Sequence, residues 1–157
     1  MSAAERNFKI LADNRKARHD YHLSDFIEAG LALTGTEVKS ARNGRVQLQD
    51  AYAEIERGEA WLVNAHFSHY SHGNRWNHDV VRRRKLLLHR EQIDKLASKT
   101  RERGYTLIPT KVYLKDGLVK VELALARGKQ IHDKRETIKK REQESEAKAA
   151  IVRSRRQ

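Results

Sequence analysis

Tyr105-Thr106-Leu107-Ile108-Pro109-Thr110-Lys111-Val112-Tyr113-Leu114-Lys115-Asp116-Gly117-Leu118-Val119-Lys120-Val121-Glu122-Leu123-Ala124-Leu125-Ala126 is the stretch on which the fold turns. Two runs, Tyr105 to Leu114 and Leu118 to Ala126, flank Asp116-Gly117, a dipeptide suited to the tight turn of a hairpin. In the second run Val119, Val121, Leu123 and Leu125 fall on one face and Lys120, Glu122 and Ala124 on the other, the pattern of a half-buried strand. Further back, Ala51 to Glu56 and Ala60 to Phe67 alternate around Arg57-Gly58-Glu59 and predict a second hairpin. Tyr21 to Ile27 reads as a strand that bends at Gly30 into Leu31-Ala32-Leu33. Thr34-Gly35-Thr36-Glu37 matches a capping box and opens a short helix that stops at Asn43-Gly44. Ile93, Leu96, Ala97 and Thr100 recur at helical spacing before Gly104, so Arg90 to Arg103 is the second helix. Ser68 to Arg84 has no period and reads as a loop. The sum is a mainly β protein with short helices: a small closed six-stranded antiparallel barrel of the oligonucleotide-binding type, because closure removes edges that so small a sheet cannot cover. An open antiparallel sheet with helices on one face is the alternative.

Composition sets the partner. The 157 residues hold 33 Lys and Arg against 21 Asp and Glu, a net charge of +12, and a pI of about 10.1 points to a polyanion. At 38% hydrophobic and 34% charged, the chain can build one modest core and leaves part of itself solvated. Without cysteine it has no disulfide, zinc knuckle or thiol nucleophile. The N-terminus lacks the apolar core of a signal peptide and no run approaches the roughly 20 apolar residues of a membrane span, so a soluble, cytoplasmic protein is expected. Three segments are expected: a basic arm over 1–18, carrying Arg15-Lys16-Ala17-Arg18, with order starting near His19; an RNA-binding barrel over 19–126; and a basic tail over 127–157. The first 126 residues carry 22 cations against 16 carboxylates, and the last 31 carry 11 against five. From Arg127 to Lys148 the apolar side chains are Ile131, Ile138 and Ala147, too few to dock on a core, so the tail is expected to be disordered alone. Glu136 with Lys140 and Glu144 with Lys148 are pairs at helical spacing that favour a helix on binding.

Two constellations bear on chemistry. His66, His69 and His72, with His78 and Asp79 beyond, have metal-ligand residue types, but a tetrahedral site needs convergent side chains and these fall in an aperiodic stretch. The reading is a solvated loop facing RNA, with no metal and no cofactor. Arg82-Arg83-Arg84-Lys85 sets four cations beside Leu86-Leu87-Leu88, with Tyr70, Trp76 and His89 near enough in sequence to stack on unpaired bases. No phosphate-cradling Gly loop, nucleophile elbow or matched carboxylate pair accompanies them, so the chain reads as a binding protein and not an enzyme.

Four blocks in order resemble the SmpB family of SsrA (tmRNA, transfer-messenger RNA) binding proteins: Asn14 to Tyr21, Glu28 to Ser40, Arg84 to His89, and Gly128-Lys129-Gln130-Ile131-His132-Asp133-Lys134-Arg135. The resemblance implies a monomeric factor of bacterial trans-translation. Its barrel would bind the tRNA-like domain of tmRNA and deliver it to stalled ribosomes, for ribosome rescue and tagging of the nascent peptide, while its tail probes the empty mRNA channel near the rRNA of the decoding centre. It implies no membrane or small-molecule substrate. The RNA-facing set is then Asn14, Arg15, Lys16, Arg18, Glu28, Lys39, Arg42, Arg82, Arg83, Arg84, Lys85, Leu88 and His89. The ribosome-facing set is Gly128, Lys129, His132, Asp133, Lys134, Arg135, Lys139, Lys140, Ile151 and Val152. Asp79-Val80-Val81 departs from the family, which often carries proline there, and loses that restraint. A generic RNA-binding barrel of ribosomal or RNA-chaperone type shares the composition and is the competing expectation.

Overall fold

The structure is a computed structural model that describes residues 8–69, 79–102 and 104–129. Its elements run β1 (Phe8–Asp13), α1 (Arg15–Asp20), β2 (Tyr21–Leu31), α2 (Gly35–Arg42), β3 (Val46–Gln47), β4 (Tyr52–Glu56), β5 (Glu59–Val63), β6 (His66–Phe67), β7 (Arg84–Leu87), α3 (Arg90–Thr100), β8 (Tyr105–Lys115) and β9 (Leu118–Gly128). Six strands close into a ring in the order β8, β4, β5, β7, β2, β9, and the β8–β9 pairing returns the ring to its start. This is the mainly β, six-stranded closure expected from sequence.

Two hairpins anchor it. Asp116 and Gly117 sit at φ 51° and 79° and join β8 to β9 with Lys115 opposite Leu118; Arg57 and Gly58, at 52° and 74°, join β4 to β5 with Glu56 opposite Glu59. Positive φ at both turn positions is what a two-residue hairpin requires. The register then drops Leu62, Leu107, Val112, Val121 and Leu123 into the ring, where each is essentially without solvent contact.

Three expectations change. Residues 1–18 do not all precede the fold: β1 pairs with the Lys111–Lys115 half of β8, and α1 packs Ala17 with Ile108 and Ala126 in a second small apolar cluster. Order therefore starts by Phe8 rather than near His19. The run Ala60 to Phe67 is not one strand, because Asn64 at φ 60° turns the chain and sends β6 to pair with β3, burying Phe67. Tyr21 to Ile27 extends to Leu31, with Asp25 at φ 51° inside it. The chain divides into two units, Met1–Arg127 and Gly128–Gln157; of the second, Gly128 and Lys129 alone are among the described residues.

Candidate nucleic-acid interface

The run Arg82 to Lys85 behaves differently from its sequence. Alternation along β7 turns Arg84 inward with Leu86 and leaves Lys85 and Leu87 outside. Arg84 is 0% exposed, ion-paired to an equally buried Glu37, with its guanidinium 4.1 Å from the centre of the Phe67 ring. Arg82 reaches the same carboxylate, its Nε donating to Glu37 Oε2 at 3.1 Å. Arg83 pairs with Glu54 at 2.8 Å and Glu56 at 2.9 Å and lies 4.7 Å from the centre of the Trp61 ring; Lys85 meets Glu59 at 3.4 Å. Four cations thus face four carboxylates. Arg84 is corrected from an RNA ligand to an internal strut, since its head group has no solvent access. The phosphate attraction expected of the run is largely cancelled by its own neighbours.

Glu37 is the centre of this network because Thr34 caps α2: Glu37 Oε1 accepts the Thr34 backbone N–H at 2.9 Å, and the Thr34 hydroxyl accepts the Glu37 N–H at 3.4 Å. Burial pushes the Glu37 carboxyl up, but the Arg82 hydrogen bond, the Thr34 N–H and the Arg84 charge outweigh it and hold the group below its ordinary value.

Asn14 is also internal, at 3% exposure. Its Oδ1 accepts from the Ala17 N–H and caps α1, while Nδ2 donates to the carbonyls of Leu48 at 3.1 Å and Pro109 at 2.9 Å. Arg18 pairs with Asp13 and Lys16 with Asp50, both at the surface, and Arg15 is exposed on α1. Lys39 and Arg42 are exposed on α2, the Arg42 guanidinium reaching the Gly117 carbonyl at 3.5 Å. Leu88 is half-buried against the main core, and His89 is the exposed N-cap residue of α3, its N–H donating to the Gln92 side chain at 3.0 Å.

Glu28 stands on a second face, outside β2, β9 and β8. Its carboxylate accepts from Lys115 Nζ at 3.2 Å and from the Tyr113 hydroxyl. The Tyr113 hydrogen bond is the main reason its pKa lies below the ordinary value; burial opposes this, and Lys115 and Lys120 add to it. The phenol of Tyr113 is pushed up, first by burial and then by Glu28. Phe8 covers the Tyr113 ring at 4.9 Å between centroids. Glu28, expected to face RNA, therefore has a Tyr and a Lys as internal partners, and its carboxylate still reaches solvent. Sequence reasoning missed Tyr113, Lys115, Leu118 and Lys120. Their signal was the hairpin register itself, which sets Tyr113 opposite Lys120 and Lys115 opposite Leu118 on one face.

His66 lies on β6 opposite Gln47, while His72, His78, Tyr70 and Trp76 lie outside the described residues. So do His132, Asp133, Lys134, Arg135, Lys139, Lys140, Ile151 and Val152. Among the described residues, no three His, Asp or Glu side chains converge as a metal site, and no helix is long and apolar enough to cross a membrane.

The family profile described as SmpB protein matches residues 11–153. The chain belongs to the SmpB family. An "SsrA-binding protein" of Geobacillus thermodenitrificans is 55% identical over 143 residues, covering 91% of this chain and 92% of that one. An "SsrA-binding protein" of Streptococcus sanguinis is 58% identical over 135 residues, covering 86% and 87%. A chain of the solved structure described as "tmRNA-SmpB: a journey to the center of the bacterial ribosome" superposes with a TM-score of 0.66 at 46% identity, over 75% of this chain and 83% of that one. SmpB family membership thus spans the ring, the Glu28 face and most of the tail.

Proposed function

We propose that the chain binds tmRNA through its tRNA-like domain and brings it to ribosomes stalled without a stop codon, so that the ribosome is released and the nascent peptide tagged. The observation that carries this reading is the family match over residues 11–153, which takes in both the folded ring and the basic tail. The likeness to a chain of a tmRNA-SmpB ribosome structure supports tmRNA and the ribosome as partners, and with them a cytoplasmic site of action.

In this reading the ring recognises RNA and the tail recognises the ribosome. Glu28, Leu88 and His89 supply polar and apolar contacts on the ring surface, Lys39 and Arg42 supply charge, and Asn14 shapes the surface from within. Residues 127–157, with 11 cations against five carboxylates, suit an RNA-lined channel, where neutralised cations and Glu-before-Lys pairs favour a helix. Lys134, Arg135, Lys139 and Lys140 would meet rRNA phosphates, and Ile151 with Val152 would anchor the end. The protein performs no catalysis of its own. Every step is binding and delivery.

The test is selectivity. RNA recovered with the chain from cells should be tmRNA, and at one fixed salt concentration the isolated tRNA-like domain should bind far more tightly than single strands or tRNA-sized competitors. Equal affinity for all of them would reduce the protein to a generic RNA-binding barrel.

A further inference from the structure

The two-residue turn of the β4–β5 hairpin holds Arg57 at φ 52°, a conformation that glycine, asparagine or aspartate adopts with less strain. An arginine there does nothing for the turn that a glycine would not do better. Its side chain lines a cavity of about 310 Å³ between the turn and α3, together with Asp94 and Arg101 of the helix and an apolar floor of Ile55, Ile93 and Ala97. Ile93 is buried and Ile55 and Ala97 are half-buried, whereas Arg57, Asp94 and Arg101 are exposed. Among the described residues neither guanidinium has a hydrogen-bond or ion-pair partner, unlike Arg82, Arg83, Arg84 and Lys85, whose charges are answered by glutamates. The Thr100 hydroxyl, also on the cavity wall, donates to the Leu96 carbonyl at 2.9 Å, so the free side-chain donors of the cavity are its two arginines.

We infer that this cavity takes the C-terminal residue of a protein partner, an aliphatic one, with its α-carboxylate between the Arg57 and Arg101 guanidiniums and its side chain on Ile55, Ile93 and Ala97. A guanidinium offers a carboxylate two parallel N–H donors in a fixed fork. An aliphatic C-terminal residue is the peptide unit that carries an anion and an apolar side chain on one carbon, which is the pairing the cavity presents. A nucleic-acid phosphate would also suit the arginines, but its ester oxygens bring no aliphatic group to cover the floor. Asp94 inside the cavity also repels the further phosphates that accompany any nucleotide chain, whereas a single carboxylate meets two cations against one fixed anion.

The inference stands apart from the RNA-binding reading, because neither arginine belongs to the RNA-facing set. The test is a methyl NMR titration of the full-length chain with an acetylated tripeptide ending in leucine, as the free acid and as the C-terminal amide. The free acid should shift the methyl resonances of Ile55, Ile93 and Ala97 and saturate at about millimolar concentration, and the amide should bind about tenfold more weakly. Arg57→Gly, which relieves the turn, should erase the difference between acid and amide with the fold intact. Arg101→Gln should reduce it, and tmRNA selectivity should be the same in both variants as in the native chain. Equal binding of acid and amide, or no shift at the three methyls, would overturn the inference. So would a single-stranded RNA hexanucleotide that shifts the same methyls more strongly than the free acid and loses that response in Arg57→Gly, since the cavity would then be a phosphate site.

Discussion

Arg84 uses all five of its guanidinium donors inside the protein: Nε to Glu37, Nη1 to the carbonyls of Ala65 and Arg82, and Nη2 to those of Asp79 and Val80. Removing one member of such a buried pair strands the other. Arg84→Met should therefore lower stability by about 3–5 kcal/mol, read from urea unfolding, and a loss under 1 kcal/mol would show that Glu37 is adequately held by Arg82 alone. The pair also has a pH signature. Because the folded pKa of Glu37 lies below its ordinary 4.5, its contribution is complete above about pH 4.5 and is lost as the pH falls through the lowered value. Glu37→Gln should flatten the acid limb of the stability curve in that window, and an unchanged limb would refute the assignment. None of this was legible in Arg82-Arg83-Arg84-Lys85 as a string, because four cations in a row do not say which faces inward; only the strand phase does. Asn14 was singled out by resemblance, and its burial explains it differently. Asn14→Ala should cost about 3 kcal/mol, from a lost cap and the lost Nδ2 donations to the carbonyls of Pro109 and of Leu48, the second of which keeps the Ala51 N–H.

Elements were legible where local chemistry was complete within a few residues. The capping box found α2, the apolar spacing found α3, and Asp116-Gly117 fixed the β8–β9 register. Elements whose partner is distant in sequence were not. α1 contains Ala17 as its one buried residue, so it has no period, and its docking depends on Ile108 and Ala126, about a hundred residues away. β1 shows no clean alternation because its register shifts between Ile10 and Ala12, and only β8 makes it a strand. A chain beginning at Asn14 should thus keep its ring but lose β1 from the edge of β8 and Phe8 from over Tyr113. Both its denaturant midpoint and its m-value should fall, since less surface is buried on folding. An unchanged midpoint would restore residues 8–13 to the status of an arm. Thr34→Ala offers a smaller test, with about 1 kcal/mol expected from the lost cap of α2.

At the scale of the whole molecule, the charge of +12 matters by where it is left unanswered. Arg82 to Lys85 is neutralised by Glu37, Glu54, Glu56 and Glu59. Arg83→Ala should consequently leave the salt dependence of RNA binding almost unchanged, whereas Arg42→Ala, exposed and facing a carbonyl rather than a carboxylate, should reduce its slope by about 1. The tail carries half of the net charge in a fifth of the length, and from Arg127 to Lys148 it has only Ile131, Ile138 and Ala147 to tie it to a core. Two tasks then separate along the chain. If the ring alone holds tmRNA, truncation after Lys129 should leave affinity for the tRNA-like domain nearly intact. If the tail must find rRNA phosphates in a channel free of mRNA, the same truncation should abolish peptide tagging on stalled ribosomes, because an occupied or unread channel returns nothing for the entropy of ordering some thirty residues. Ile151→Asp with Val152→Asp should give a milder version, since an apolar pair at the end of a polar helix is its natural anchor. Both activities are to be measured on one truncated preparation: tagging lost with binding kept supports the division, and equal loss of the two, or full tagging without the tail, would sink it.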